Sequence, residues 1–147
     1  MAETVFSKIL RGEIPCHKLY EDELVFAFLD IAPLSEGHLL VIPKEPAETL
    51  DQLSDESAAA IGRVLPRLCR TLKQVTGVAA FNVLENNEAA AHQAVKHVHF
   101  HIIPKPNADS GLGVGWPSGK LDHTRAAEFR SRFVAALGEQ GANTTGV

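Results

Sequence analysis

The residues from Lys96 to Lys105 read Lys-His-Val-His-Phe-His-Ile-Ile-Pro-Lys, and no other stretch constrains the fold as strongly. Histidine and apolar residues alternate from His97 to His101, the period-two pattern that sends successive strand side chains to opposite faces. Val98, Phe100 and Ile102 then bury one face. His97, His99 and His101 stand in a row on the other, about 6–7 Å apart at a rise of ~3.3 Å per residue. Histidine has no special preference for strands, so such a row is more than polar filler. It suits two chemistries. One is metal binding, in which His-x-His presents two imidazoles to one ion. The other is phosphoryl chemistry, in which a neutral imidazole attacks phosphorus while its neighbours hold the oxygens.

The rest of the chain separates these. A zinc hydrolase needs a third ligand and supporting carboxylates. Nothing acidic follows the row, and neither Cys-x-x-Cys nor His-Glu-x-x-His occurs elsewhere. No metal and no cofactor is therefore expected. A net charge of −4 leaves no basic stripe for a nucleic-acid polymer, whereas a single nucleotide needs only a few local donors. The 147 residues suit one domain. Its core is expected over 4–104, followed by a loop and helix over 105–138 and a frayed tail over 139–147. Cys16 and Cys69 sit in unrelated contexts, which points to a reducing compartment. With no leader pattern and no apolar run near ~20 residues, the expectation is a cytoplasmic protein, with the nucleus a second compartment and no membrane partner.

In chain order, Val5, Phe6, Ile9 and Leu10 predict a short helix over Glu3 to Arg11, ended by Gly12. Strands are predicted over Cys16 to Glu21 and Leu24 to Asp30, with Asp22-Glu23 as the turn, and a third over His38 to Lys44. Thr49-Leu50-Asp51-Gln52 has capping-box spacing. Ser54 to Val75 carries helical periodicity with Pro66 inside it, where a kink or break is expected. Val78 to Leu84 is the fourth strand and the histidine segment the fifth. A Gly- and Pro-rich loop containing Trp116 leads to a closing helix capped at Asp122 or Thr124. The fold class is α+β, a mainly antiparallel five-stranded sheet with helices packed on it.

His97-Val98-His99-Phe100-His101-Ile102-Ile103 matches the signature His-φ-His-φ-His-φ-φ (φ apolar) in full, and the chain resembles the histidine triad (HIT) family of nucleotide hydrolases and transferases. Phe6-Ser7-Lys8-Ile9, Gly12-Glu13-Ile14-Pro15, Phe28-Leu29-Asp30-Ile31 and Gly37-His38-Leu39-Leu40-Val41-Ile42-Pro43-Lys44 are similar, in order, to the Hint branch. Gly115-Trp116-Pro117 is similar to fungal members. The resemblance implies a homodimer whose sheets join, and a phosphoramidase acting on a purine nucleoside monophosphate amidate. His99 is then the nucleophile, forming a nucleotidyl-histidine that water cleaves. A backbone carbonyl near the first histidine holds the other ring nitrogen. His101 faces the phosphate and leaving group, and His97 and His38 support the row. Asp30 accepts the ribose hydroxyls, Phe6, Ile9, Phe28 and Ile31 enclose the purine, and Asn86 and Gln93 lie near the phosphate. Plainer readings exist for some: His38 as a core histidine, Asp30 as a strand-end cap, the apolar four as core.

Three departures stand beside this. Where the family has Gly-Gln-Ser or Gly-Gln-Thr, this chain has His92-Gln93-Ala94. Loss of the hydroxyl costs about 0.5–1.5 kcal/mol as one neutral hydrogen bond, and His92 is a replacement donor or proton source. Thr4 and Ser7 occupy the zinc-binding Cys-x-x-Cys positions of some bacterial relatives, so no structural zinc is expected. Trp116 is read as a buried anchor for its loop rather than a lid over the site. Two other functions fit the same residues. One is a dinucleoside polyphosphate hydrolase of the Fhit type, and the other a nucleotide-binding interaction protein with little turnover.

Overall fold

A computed structural model describes residues 3–141, so the expected fraying of the last residues of the tail lies outside the described residues. Helix α1 (Val5–Leu10) starts at Thr4, whose hydroxyl accepts from the Ser7 amide while Ser7 Oγ accepts from the Thr4 amide. This reciprocal pair satisfies two amides that a helix start leaves free. At the other end Gly12, at φ +76°, lets Glu13 N–H reach back to the Lys8 carbonyl and closes the helix.

Strands β1 (Lys18–Glu21) and β2 (Val25–Leu29) form a hairpin around Asp22, whose Oδ1 accepts from the Leu24 and Val25 amides at 2.8 Å. Strand β3 is Leu39–Pro43, β4 Phe81–Glu85 and β5 Phe100–Pro104. The sheet runs β1-β2-β3-β5-β4 with every neighbour antiparallel. The histidine segment is thus only partly strand. β5 begins at Phe100, and His97 to His99 precede it in irregular backbone.

Helix α2 (Asp55–Thr76) covers one face of the sheet, burying Ile61, Val64, Leu68 and Leu72 against Val25, Ala27, Leu39, Val41, Val98 and Ile102. The break expected at Pro66 does not occur. The carbonyl that Pro66 leaves without a partner belongs to exposed Gly62, which water can serve, and the buried stripe holds the helix together. The capping box expected at Thr49 is also absent: a 3-10 turn spans Leu50–Gln52, but the Thr49 side chain makes no cap bond. The alternate residues Phe26, Phe28, Leu40 and Ile42 form a second core with Phe6 of α1 on the opposite face. α1 is short, so it covers only part of that face, and the uncovered part is the floor of the site.

After β5 the chain is tied back by Ser35 Oγ to the Pro104 carbonyl at 2.6 Å and by Gly111 N–H to the Leu34 carbonyl at 3.1 Å. Helix α3 (His123–Gly138) is capped by Asp122, whose Oδ1 accepts from Thr124 and Arg125. Contrary to the expectation of a packed closing helix, α3 buries none of its residues, and Phe129, Phe133, Val134 and Leu137 are exposed.

Candidate active site

A cavity of about 940 Å³ opens on the sheet face that α1 leaves bare. Its walls follow the order of the sheet. Phe6 and Ile9 of α1 stand with Phe28 of β2 and Asp30 just after it at one end, His38 just before β3 with Leu40 of β3, and His99 just before β5 with His101 and Ile103 of β5, in the middle, and Leu84 of β4 with Asn86 and His92 after it at the other. Leu112, Val114, Gly115 and Trp116 from the loop after β5 close the rim.

His99 is buried, and its Nδ1 lies 2.7 Å from the His97 carbonyl oxygen. A carbonyl only accepts, so Nδ1 carries the proton and Nε2 keeps its lone pair. The ring is wedged edge-on against Phe6 at 5.0 Å. Burial pushes its pKa below the ordinary histidine value, outweighing the bond to the His97 carbonyl.

A second chain of bonds fixes His101. The Leu34 amide donates to His38 Nδ1 at 3.0 Å, so the proton of His38 is on Nε2. That nitrogen faces His101 Nδ1 at 2.9 Å and Asp30 Oδ2 at 3.4 Å. His101 therefore accepts at Nδ1 and carries its proton on Nε2, a buried atom with no hydrogen-bond partner among the described residues. An unspent N–H donor thus sits beside the lone pair of His99, the ring centroids 5.0 Å apart. Burial, with His99 and His38 alongside, holds the His101 pKa down to about 4. The three groups Asp30, His38 and His101 bring ligand atoms within 4.8 Å of one another, close enough for a metal ion. The Leu34 amide argues against that use, because it leaves His38 Nε2 protonated and without a lone pair to offer.

His97 is placed differently from the other two. Its ring does not line the cavity; it is buried with Nε2 donating to the Pro43 carbonyl at 2.8 Å, and burial lowers its pKa. The expected row of three is a pair plus a buried strut, because the backbone becomes a strand only after His99. Gln93 also lies outside the cavity lining. Its Oε1 accepts from Glu88 N–H at 2.7 Å and its Nε2 donates to the Glu48 carbonyl at 2.6 Å. Asn86 and His92 do line the cavity, Asn86 Nδ2 reaching the His92 carbonyl at 3.4 Å. Asp30 combines both of its readings: Oδ1 caps the turn by accepting from Ala32 N–H at 2.8 Å, while Oδ2 faces His38. Ile31 lines the cavity from an exposed position at its edge. Trp116 is not the buried anchor expected of it. It lines the cavity and is 90% exposed, since the glycines around it provide nothing to pack against.

One part of the site was not expected from the sequence. The segment from Pro43 to Glu48 is a strap whose carbonyls hold the pre-strand residues: Pro43 takes His97 Nε2, Ala47 takes Val98 N–H and Glu48 takes Gln93 Nε2. Glu45 pins the strap to α2. Its buried carboxylate accepts from Ser54 N–H at 2.9 Å, Ser54 Oγ at 2.5 Å and Ser57 Oγ at 2.9 Å. The available signal was an acidic residue shortly before Ser54-Asp55-Glu56-Ser57, a helix start already well capped.

A family model described as the HIT domain matches residues 11–108. The adenosine 5′-monophosphoramidase hnt1 of Schizosaccharomyces pombe is 59% identical over 136 residues, covering 92% of this chain and 93% of that one. The adenylylsulfatase HINT3 of Arabidopsis thaliana is 45% identical over 107 residues, 73% of this chain and 54% of that one. Among solved structures, the histidine triad nucleotide-binding protein from Candida albicans superposes with a TM-score of 0.86 at 38% identity, covering 93% of this chain and 99% of that one.

Proposed function

The chain belongs to the HIT family, and from that premise we propose that it is a purine nucleoside phosphoramidase, hydrolysing the P–N bond of adenosine 5′-monophosphoramidate and of AMP joined to lysine or a similar amine. The observation that carries this reading is the pair of tautomers: a lone pair on His99 Nε2 and a free N–H on His101 Nε2, side by side on the floor of an apolar cavity. A relative named for adenosine 5′-monophosphoramidase activity supports the substrate class.

The purine enters between Phe6, Ile9, Phe28 and Ile31, a slot that encloses a flat base without reading its edge. Asp30 takes the ribose hydroxyls. His99 Nε2 attacks the α-phosphorus, a P–N bond to the imidazole forms and the bond to the leaving amine breaks. His101 Nε2–H supports charge on the phosphate and leaving-group side, where a preorganised donor in a dry site acts most strongly. Water then cleaves the nucleotidyl-histidine, releasing AMP and restoring the ring. A neutral imidazole needs no activating base for this, which is why the buried, low-pKa environment suits it.

We propose a homodimer with one continuous sheet. β4 is an edge strand that exposes Phe81 and Val83, and the apolar side of α3 is uncovered, both of which a second copy would bury. We place the protein in the cytoplasm or nucleus, consistent with free thiols at Cys16 and Cys69. No helix among the described residues is long and apolar enough to cross a membrane.

The test is a parallel assay of a fluorogenic AMP amidate and of diadenosine tri- and tetraphosphate. Rapid amidate cleavage supports the proposal, selective cleavage of the polyphosphates moves the protein to the Fhit-type reading, and binding without turnover makes it an interaction protein.

A further inference from the structure

The base and ribose end of the cavity leaves the far side, beyond β4, for whatever departs from phosphorus. That side is built from Leu84, Asn86, His92, Ala94 and Trp116. Among the described residues lining the cavity, Asp30 is the one carboxylate, and it stands at the opposite end, engaged by Ala32 and His38. The far side has neither an acid to hold a cation nor any lysine or arginine. Its one ionisable side chain is His92, which is exposed.

His92 has a backbone that ordinarily belongs to glycine. Its φ is +69°, in the left-handed region, where the Cβ of an L-residue crowds its own backbone. Histidine is tolerated there better than most residues, yet at a cost that glycine would not incur. The bonds that hold the loop are local. His92 N–H donates to the Ala89 carbonyl, Gln93 N–H to the Glu88 carbonyl, and the Gln93 side chain ties Glu88 to Glu48. None of them uses the imidazole. A strained backbone whose side chain supports nothing in the fold, at the open end of a cavity, is evidence for a role in what the cavity binds.

We propose that His92 is a specificity-determining residue for the leaving group, favouring one that bears negative charge next to the scissile bond: an amine carrying a carboxylate, or a sulfate or phosphate. The reasoning rests on the hydrolase reading for the direction of the leaving group. The imidazole N–H at the mouth supplies a donor where the Ala94 methyl offers none, and no carboxylate lines the cavity on that side.

The experiment compares the full-length protein with His92→Gly and His92→Asn. Glycine suits φ +69° better than histidine, so the first variant carries little folding cost. Two substrates differ in one group: the AMP amidates of glycine, with its carboxylate, and of glycinamide, without it. The ratio of their kcat/KM values is expected to fall about tenfold in His92→Gly, the scale of one charge-assisted hydrogen bond at an open rim, and to recover in part in His92→Asn, which keeps an N–H donor. A binding arm uses no turnover: calorimetry of ADP and AMP, the β-phosphate of ADP standing at the leaving-group position, with the ADP-to-AMP affinity ratio falling by a similar factor. AMP sulfate as a third substrate shows whether a carboxylate is required or any anion serves. Ratios equal to wild type overturn the inference. Should the wild type cleave neither amidate, the hydrolase reading fails, and the ADP-to-AMP ratio alone decides the role of His92.

Discussion

Only Val98 separates His97 from His99, yet the carbonyl of the first residue holds Nδ1 of the second at 2.7 Å. This bond requires the backbone to leave strand geometry before Phe100, since a regular strand would turn that carbonyl toward a neighbouring strand. It is what presents the lone pair of His99 to the cavity. His99→Ala is expected to abolish amidate hydrolysis while nucleotide binding persists within a few-fold, measured by single-turnover kinetics and calorimetry. Radiolabelled AMP trapped by an alkaline denaturing quench, which preserves a P–N bond to imidazole, should map to His99 in the wild type and be absent from the variant. Hydrolysis at the wild-type rate in His99→Ala would remove the nucleophile assignment.

Burial lowers the pKa of His38, His97 and His99, and that of His101 to about 4. A solvent-exposed imidazole nucleophile would lose activity as pH falls through ~6.5. Here burial keeps the His99 imidazole neutral below that value, so the acid limb of kcat/KM is expected at a lower pH than that of an exposed imidazole. Stability follows the same groups. A histidine whose folded pKa is depressed contributes stability above its unfolded value, and that contribution is lost as pH falls, because the unfolded chain takes up the proton first. A bell-shaped profile with an acid limb centred near 6.5 would contradict this.

The sequence made the sheet and its two faces legible because β2 and β3 are continuous apolar runs whose alternate residues sort cleanly, Val25 and Ala27 to one core and Phe26 and Phe28 to the other. It also exposed the cavity side of His99 and His101, whose alternation survives even where the strand does not. His97 was not legible as a strut, since its separation from the row depends on the Pro43 carbonyl, 54 residues away. Trp116 and α3 misled for a related reason. Local composition favours burial of an aromatic ring and of an apolar helical stripe, but what covers them is set by long-range packing that period and propensity do not encode. Pro66 shows the same override in reverse, the buried stripe of α2 carrying the helix through a residue that opposes it.

The exposed edge of β4 gives a direct handle on assembly. Phe81 and Val83 are 36% and 43% exposed and lie on the strand that ends the sheet. Introducing a charge with Val83→Glu puts two like charges, one from each copy, on the joined edges of a β4–β4 pair, which disfavours pairing. Sedimentation velocity is expected to show a dimer for the wild type and a shift toward monomer for the variant. A wild-type monomer at micromolar concentration would rule out the continuous sheet.

Glu45 links the strap to α2, and its removal should be felt in stability with a definite pH signature. Burial opposes its charge, but the hydrogen bonds from Ser54 and Ser57 outweigh that and keep its pKa below the usual glutamate value. A carboxylate with a depressed folded pKa contributes stability above its unfolded value, and the contribution disappears as pH falls through the folded one. Glu45→Gln keeps the shape and loses the charge, and it leaves at least one of the three donors poorly matched. The expected cost at pH 7 is about 1–3 kcal/mol by urea titration, the range for a buried charged hydrogen-bond acceptor. The gap between wild type and variant should hold down to the unfolded glutamate value of ~4.3 and narrow below it, as the unfolded carboxylate takes up its proton before the folded one; the histidines titrate in both proteins and cancel from the difference. A gap that stays constant as pH falls below ~4.3 would mean that the charge of Glu45 is not what holds the strap.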